Sequence, residues 1–81
     1  MNMRAAFHDT LMLAVERRMQ GPDTGPLSFP HILYMQRRVD ASFSEAKLGR
    51  WLGWAQAAVV ASGCATLDDM KEINRRHAGT E

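Results

Sequence analysis

Cysteine occurs once in the 81 residues, at Cys64. A lone thiol excludes an internal disulfide and any zinc centre built on several thiolates, and it accords with a reducing compartment. Proline is almost as scarce, and two of the three prolines, Pro22 and Pro26, fall in one short stretch, which leaves the rest of the chain free to be helical. An excess of one charge is also missing. Ten basic side chains face nine acidic ones, and a net charge of +1 is no electrostatic footprint for nucleic acid. Long apolar runs are missing too. No residue from Trp51 to Leu67 is charged, but Gln56, Ser62, Gly63 and Thr66 interrupt a run already at the short limit for a bilayer span. The N-terminal MNMRAAFHDT has no uninterrupted apolar segment followed by a cleavage pattern, so no signal peptide is expected and the expected address is cytoplasmic.

Catalytic signatures are absent as well. There is no HExxH, no nucleophile elbow and no glycine-rich phosphate cradle. His8 with Asp9, His31, His77 and Cys64 supply titratable types without an arrangement. His31 and His77 read as ordinary surface positions in the first and last turns of helices, and Cys64 reads as a small buried hydrophobe. The expectation is a protein that is not an enzyme and holds no metal or cofactor.

What is present is helical spacing, most clearly in LGRWLGWAQAAVVAS, Leu48 to Ser62. Leu48, Leu52, Ala55 and Val59 lie on one stripe with Trp51 beside it. Only Arg50 and Gln56 are strongly polar there, which predicts a buried central helix. Gly49, Gly53, Ala57 and Ala61 recur on the other flank at four-residue intervals. Such a small-residue seam lets two backbones approach closely, seating either the first or fourth helix or a second copy of the chain in a symmetric dimer.

The other elements follow from punctuation. Met3, Phe7, Leu11, Ala14 and Val15, widened by Met12 and Met19, predict an amphipathic first helix over about 3–20. A Pro/Gly linker over 21–27 follows. Ser28 as cap and Pro30 near the first position predict a helix over about 29–40, with Ile32, Met35 and Val39 inward. Ser42 and Glu45 have capping-box spacing, so the central helix is expected over about 43–62, closed by Gly63. Thr66 caps a last helix over about 66–78, with Asp68 and Asp69 in its first turn and Arg75, Arg76 and His77 in its last, before a frayed tail. The fold class expected is all-α, a single compact helical domain of four helices.

Arg50-Trp51-Leu52-Gly53-Trp54, Gln56, Gly63, Thr66 to Lys71 and Ile73-Asn74-Arg75, with His31 and Met35 ahead of them, resemble small accessory proteins encoded by tailed bacteriophages and prophages. The likeness covers about half the chain and leaves out the first helix and its linker. It implies a setting inside an infected bacterium, host takeover or blocking of bacterial defence by protein binding as anti-CRISPR proteins do, and no catalytic residue.

Two further features bear on partners. Trp51 and Trp54 point about 60° apart on the central helix. Either both are core, or Trp54 is partly exposed and anchors a partner. The pairs Arg37-Arg38 and Arg75-Arg76, like Arg17-Arg18, stand near helix C-termini, where they complement the dipole. With alternating helix directions, Arg37, Arg38, Arg75 and Arg76 come to one end and would form one basic surface for phosphates or an acidic protein. The expected partner is a host or defence protein, with a homodimer possible and no membrane. The alternative is a small nucleic-acid-binding regulator using the arginine-rich helix ends. A weaker third reading is a nucleotide-sequestering oligomer with a pocket at a subunit interface.

Overall fold

The computed structural model describes residues 1–79, so the tail at Thr80 and Glu81 lies outside the described residues. Among the described residues there are four helices and no strand: α1 (Met3–Glu16), α2 (Phe29–Arg38), α3 (Glu45–Ala61) and α4 (Leu67–Arg76). The all-α, four-helix expectation is met.

α1 is the hub and packs against all three other helices, while α2 also packs against α3. Its buried stripe is Phe7, Leu11 and Ala14, four and three residues apart, with Ala6 beside Phe7. Ile32 and Met35 from α2, Leu52, Ala55, Ala58 and Val59 from α3, and Met70 and Ile73 from α4 complete the core. α1 and α3 run parallel. The Met3 sulfur lies 3.4 Å from where a Cβ on Gly49 would sit, Gln56 bonds Thr10 two turns further along, and Arg17 bonds the Cys64 carbonyl just beyond both helix ends. α2 and α4 run the other way, since Trp54 bonds Pro26 just ahead of α2, and Asp69 and Arg76 of α4 meet Arg17 and Asp9 of α1.

One polar layer crosses this core. Thr10, fully buried, donates to the Ala6 carbonyl at 2.8 Å and accepts from Gln56 Nε2 at 3.3 Å. Gln56 and Asn74 exchange amide hydrogen bonds of 2.8 and 3.2 Å, tying α3 to α4. Every buried side-chain polar atom among the described residues has a partner, which is the condition for a polar layer not to cost stability.

Several boundaries differ from the sequence reading. α1 ends at Glu16, not near residue 20. Arg18 adopts the left-handed conformation at φ 55°, and the Met19 amide bonds the Ala14 carbonyl while the Arg18 amide bonds that of Val15. This is a Schellman closure, with Met19 folded back on the core, built without the glycine that usually marks one. Met12 and Val15, each about 100° round the helix from the buried Leu11 and Ala14, are half exposed and do not join the inner stripe. The capping box at Ser42 is also replaced. Asp40 Oδ1 accepts from both the amide and the hydroxyl of Ser42, and Ser44 caps α3 by accepting from the Lys47 amide at 3.1 Å. α3 therefore starts at Glu45.

The remaining caps follow the sequence more closely. Ser28 accepts from the His31 amide at 3.2 Å, with Pro30 in the first turn, and α2 ends at Arg38, two residues early. Gly63 closes α3 at φ 88°. Thr66 caps α4 and shares a full capping box with Asp69, but α4 ends at Arg76, and Leu67, expected inward, is 62% exposed.

The packing predicts that Phe7→Ala, which empties the centre of the α1 stripe, costs about 3–5 kcal/mol in urea unfolding. Val15→Ala, on the exposed face of α1, should stay within about 0.5 kcal/mol.

Candidate partner-binding groove

α2 and α3 lie antiparallel, and along their outer contact the side chains do not close. The groove between them measures about 500 Å³ and is lined by His31, Tyr34, Met35 and Arg38 from α2 and by Arg50, Trp51 and Trp54 from α3. Tyr34 is 53% and Trp54 44% exposed, while Met35 is buried and forms the floor. The spacing explains the arrangement. Tyr34 and Arg38, and likewise Arg50 and Trp54, stand four residues apart on their helices, so each pair shares a face.

Both walls are held in place. Trp54 Nε1 donates to the Pro26 carbonyl at 2.8 Å, pinning the 21–27 linker to α3 and leaving the indole face open with its donor satisfied. The His31 and Tyr34 rings lie 6.2 Å apart. The Arg38 guanidinium sits 5.8 Å from the centre of the Tyr34 ring and donates to its hydroxyl at 3.3 Å. Behind Trp51, Phe43 meets it edge-on at 4.9 Å, and the Lys47 ammonium lies 4.1 Å from the Phe43 ring centre. These contacts hold the loop before α3 against that helix.

The two arginine pairs do come to the same end of the molecule. The Asn2 amide bonds the His77 carbonyl beyond α4, and Arg4 and Phe7 of α1 line a small cleft with Gln36 and Val39 at the end of α2. Their guanidinium groups do not share a surface, however. Arg76 pairs with Asp9 at 3.1 Å, Arg75 pairs with Glu72 on its own helix, and Arg38 turns onto Tyr34 in the groove. Arg37 is exposed, with no ion pair among the described residues. Sequence direction alone fixes which end a helix terminus reaches, and local carboxylates then decide where each arginine points.

The α1/α4 contact is stapled by charge at both ends. Asp69 accepts from Arg17 at 2.7 Å and from the Thr66 amide at 2.8 Å. The Thr66 amide first, and then Arg17, hold its carboxyl below the ordinary aspartate value of 3.8. At the other end Asp9 accepts from His77 Nε2 at 2.6 Å and from Arg76. The His77 hydrogen bond lowers the Asp9 pKa, against a smaller opposing effect of burial. His77 is thus a partly buried partner of Asp9, not an ordinary surface histidine. Cys64 is half-buried, with its sulfur 3.8 Å from the Val59 carbonyl. No group of three His, Cys, Asp or Glu side chains suited to a metal ion occurs among the described residues.

The small-residue seam divides. Gly49 receives Met3 of α1, but Gly53, Ala57 and Ala61 are exposed. With Val60, Leu67 and Met70 they line a second groove of about 460 Å³ between α3 and α4. Most of the seam therefore seats no helix of the chain itself. No helix among the described residues is long and apolar enough to cross a membrane.

No family model, curated protein or solved structure matches the chain.

Of the groove residues the sequence reading selected Trp54 and Arg38; His31, Tyr34, Met35, Arg50 and Trp51 were not selected. The signal was the four-residue spacing of Tyr34 with Arg38 and of Arg50 with Trp54, which becomes informative once α2 and α3 are known to face each other.

Two outcomes are expected. A Cβ on Gly53 would meet nothing within 4 Å, so Gly53→Ala should stabilise the isolated chain by about 0.5–1 kcal/mol through helix propensity alone. A loss in thermal unfolding would mean the seam is covered. For Asp9 and Asp69 the folded pKa lies below the unfolded value of 3.8. Their stabilisation is therefore complete above pH 3.8 and disappears as pH falls through the lower folded values. Asp9→Asn should flatten that acid limb in pH-dependent urea unfolding.

Proposed function

We propose that the protein is a non-catalytic accessory protein of phage or prophage type, working in the cytoplasm of an infected bacterium. It occupies a host or defence protein by stoichiometric binding, with the α2/α3 groove as its contact surface. One observation carries this reading. Trp54 and Tyr34 are half exposed on facing helices, backed by fixed neighbours, with two arginines beside them. Exposed aromatic side chains flanked by arginine are the residue types that dominate binding hot spots, because they bring large area at low entropy cost. Trp54, named from the sequence as a candidate anchor, and Arg38 belong to this surface. Arg75 and Arg76 are engaged by Glu72 and Asp9 and play no part in it.

The near-neutral charge and the pairing of Arg75 and Arg76 count against the alternative of a nucleic-acid-binding regulator using the helix ends. A second reading has an observation of its own. Ring faces of Trp54, Tyr34 and His31 beside two guanidinium groups also suit a stacked base and its phosphate, which is the chemistry of a nucleotide-sequestering protein.

Affinity capture of the tagged protein from bacterial lysate, with and without nuclease, separates these readings. The expected result is a protein held in stoichiometric amount after nuclease treatment and lost with Trp54→Ala, while the variant keeps its far-ultraviolet circular dichroism. Material that vanishes with nuclease supports the nucleic-acid reading. Nucleotide released from the purified protein on denaturation supports the sequestering one.

A further inference from the structure

Resting on the reading of the α2/α3 groove as a protein-binding surface, we infer that its occupant is an acidic segment of the partner carrying one large apolar side chain. Charge gives the first half of this specification. Arg38 and Arg50 both line the groove, and neither has a carboxylate within 4 Å among the described residues. Glu45, the acidic residue that opens α3, precedes Arg50 by five positions, which turns it about 140° around the helix from that arginine. Asp40, near the end of α2, is bonded to Ser42, whose hydroxyl first and then amide lower its pKa. Lys47 lies behind Trp51 against Phe43 and toward Asp40, so the cations of the groove are Arg38 and Arg50. The Arg38 guanidinium is already oriented by Tyr34, so pairing it with a carboxylate costs less side-chain freedom than pairing a mobile one.

The apolar half comes from the floor and the far wall. Met35, Trp51 and Trp54 line a groove of about 500 Å³, enough to seat a large apolar side chain. The indole donor of Trp54 is spent on Pro26, so an apolar group on its face leaves no polar atom unpaired. The antiparallel helices set the polarity. The carboxylates meet Arg38 and Arg50, and the apolar side chain seats toward Trp54 and His31. A free apolar face would accept any greasy partner, whereas unopposed cations beside it disfavour basic segments and favour acidic ones over neutral.

The test uses three capped peptides with a central phenylalanine, flanked by glutamates, by glutamines or by lysines, with the tryptophan fluorescence of the protein as readout. The glutamate peptide should bind at least about tenfold more tightly than the glutamine peptide, and the difference should shrink as salt is raised. The double variant R38E/R50E should stay folded by circular dichroism but melt somewhat below the parent, because an anion replaces Arg38 in the last turn of α2 and its bond to Tyr34 is lost. It should lose the glutamate peptide and gain the lysine peptide. Equal affinity for the glutamate and glutamine peptides, or undiminished binding of the glutamate peptide by R38E/R50E, overturns the inference. So does adenosine monophosphate quenching the same tryptophans when no peptide does. Partner capture by R38E/R50E and Trp54→Ala, run in parallel, separates the two levels. Capture lost in these variants without any acidic preference overturns the occupant's chemistry alone, and capture retained in both overturns the groove as the binding surface.

Discussion

The structure depends on covering one helix from three sides. α1 presents Ala6, Phe7, Leu11 and Ala14, all nearly inaccessible, and no single neighbour is wide enough to bury that stripe. α2, α3 and α4 each supply part of the cover. Where α1 and α3 run parallel, Gly49 leaves room for Met3, and the small residues Ala6, Ala14, Ala55 and Ala58 are all buried in the shared core. In a chain of this length the core is barely large enough to offset the entropy of ordering. The inner faces of α2, α3 and α4 are thus committed to α1, and any binding surface must be made from the outer edges of the helices.

The groove follows from that commitment. α2 has ten residues and α3 seventeen, so α2 covers only part of its neighbour. The 21–27 linker returns the chain from the end of α1 to the start of α2 and is fastened to α3 by the Trp54 indole. Trp54 consequently does two things at once. Its nitrogen serves the fold, and its ring stays half exposed in the groove. The exposed Gly53, Ala57 and Ala61 edge arises the same way, where α4 bonds α3 through Gln56 and Asn74 without closing over the seam.

Much of the fold was legible because local signals and tertiary demands agree. Ser28, Thr66 and Gly63 act where side-chain oxygens and a left-handed glycine are expected, and the stripe of α3 is the one its spacing predicts. The start of α3 was missed through competition between equally good local partners. Ser42 and Ser44 both suit a cap, and Asp40 takes the first, leaving the second for α3. The end of α1 was hidden because Arg18 fills a position where glycine is the usual marker. The site was legible one residue at a time. Trp54 and Arg38 stand out in the sequence, but their union with Tyr34 and Arg50 depends on the pairing of α2 with α3. The proposed common surface of Arg37, Arg38, Arg75 and Arg76 failed because Asp9 and Glu72 claim the α4 pair, and no periodicity in the sequence encodes those contacts.

The central claim is that partners meet the molecule at the α2/α3 groove. Amide NMR of the labelled protein, titrated with the captured partner, tests it most directly because it reports every surface at once. The perturbed signals should centre on His31, Tyr34, Arg38, Arg50 and the Trp54 indole, with Ala57, Ala61 and Leu67 unmoved. Perturbation centred on Ala57, Ala61 and Leu67, with the groove signals unchanged, would contradict it.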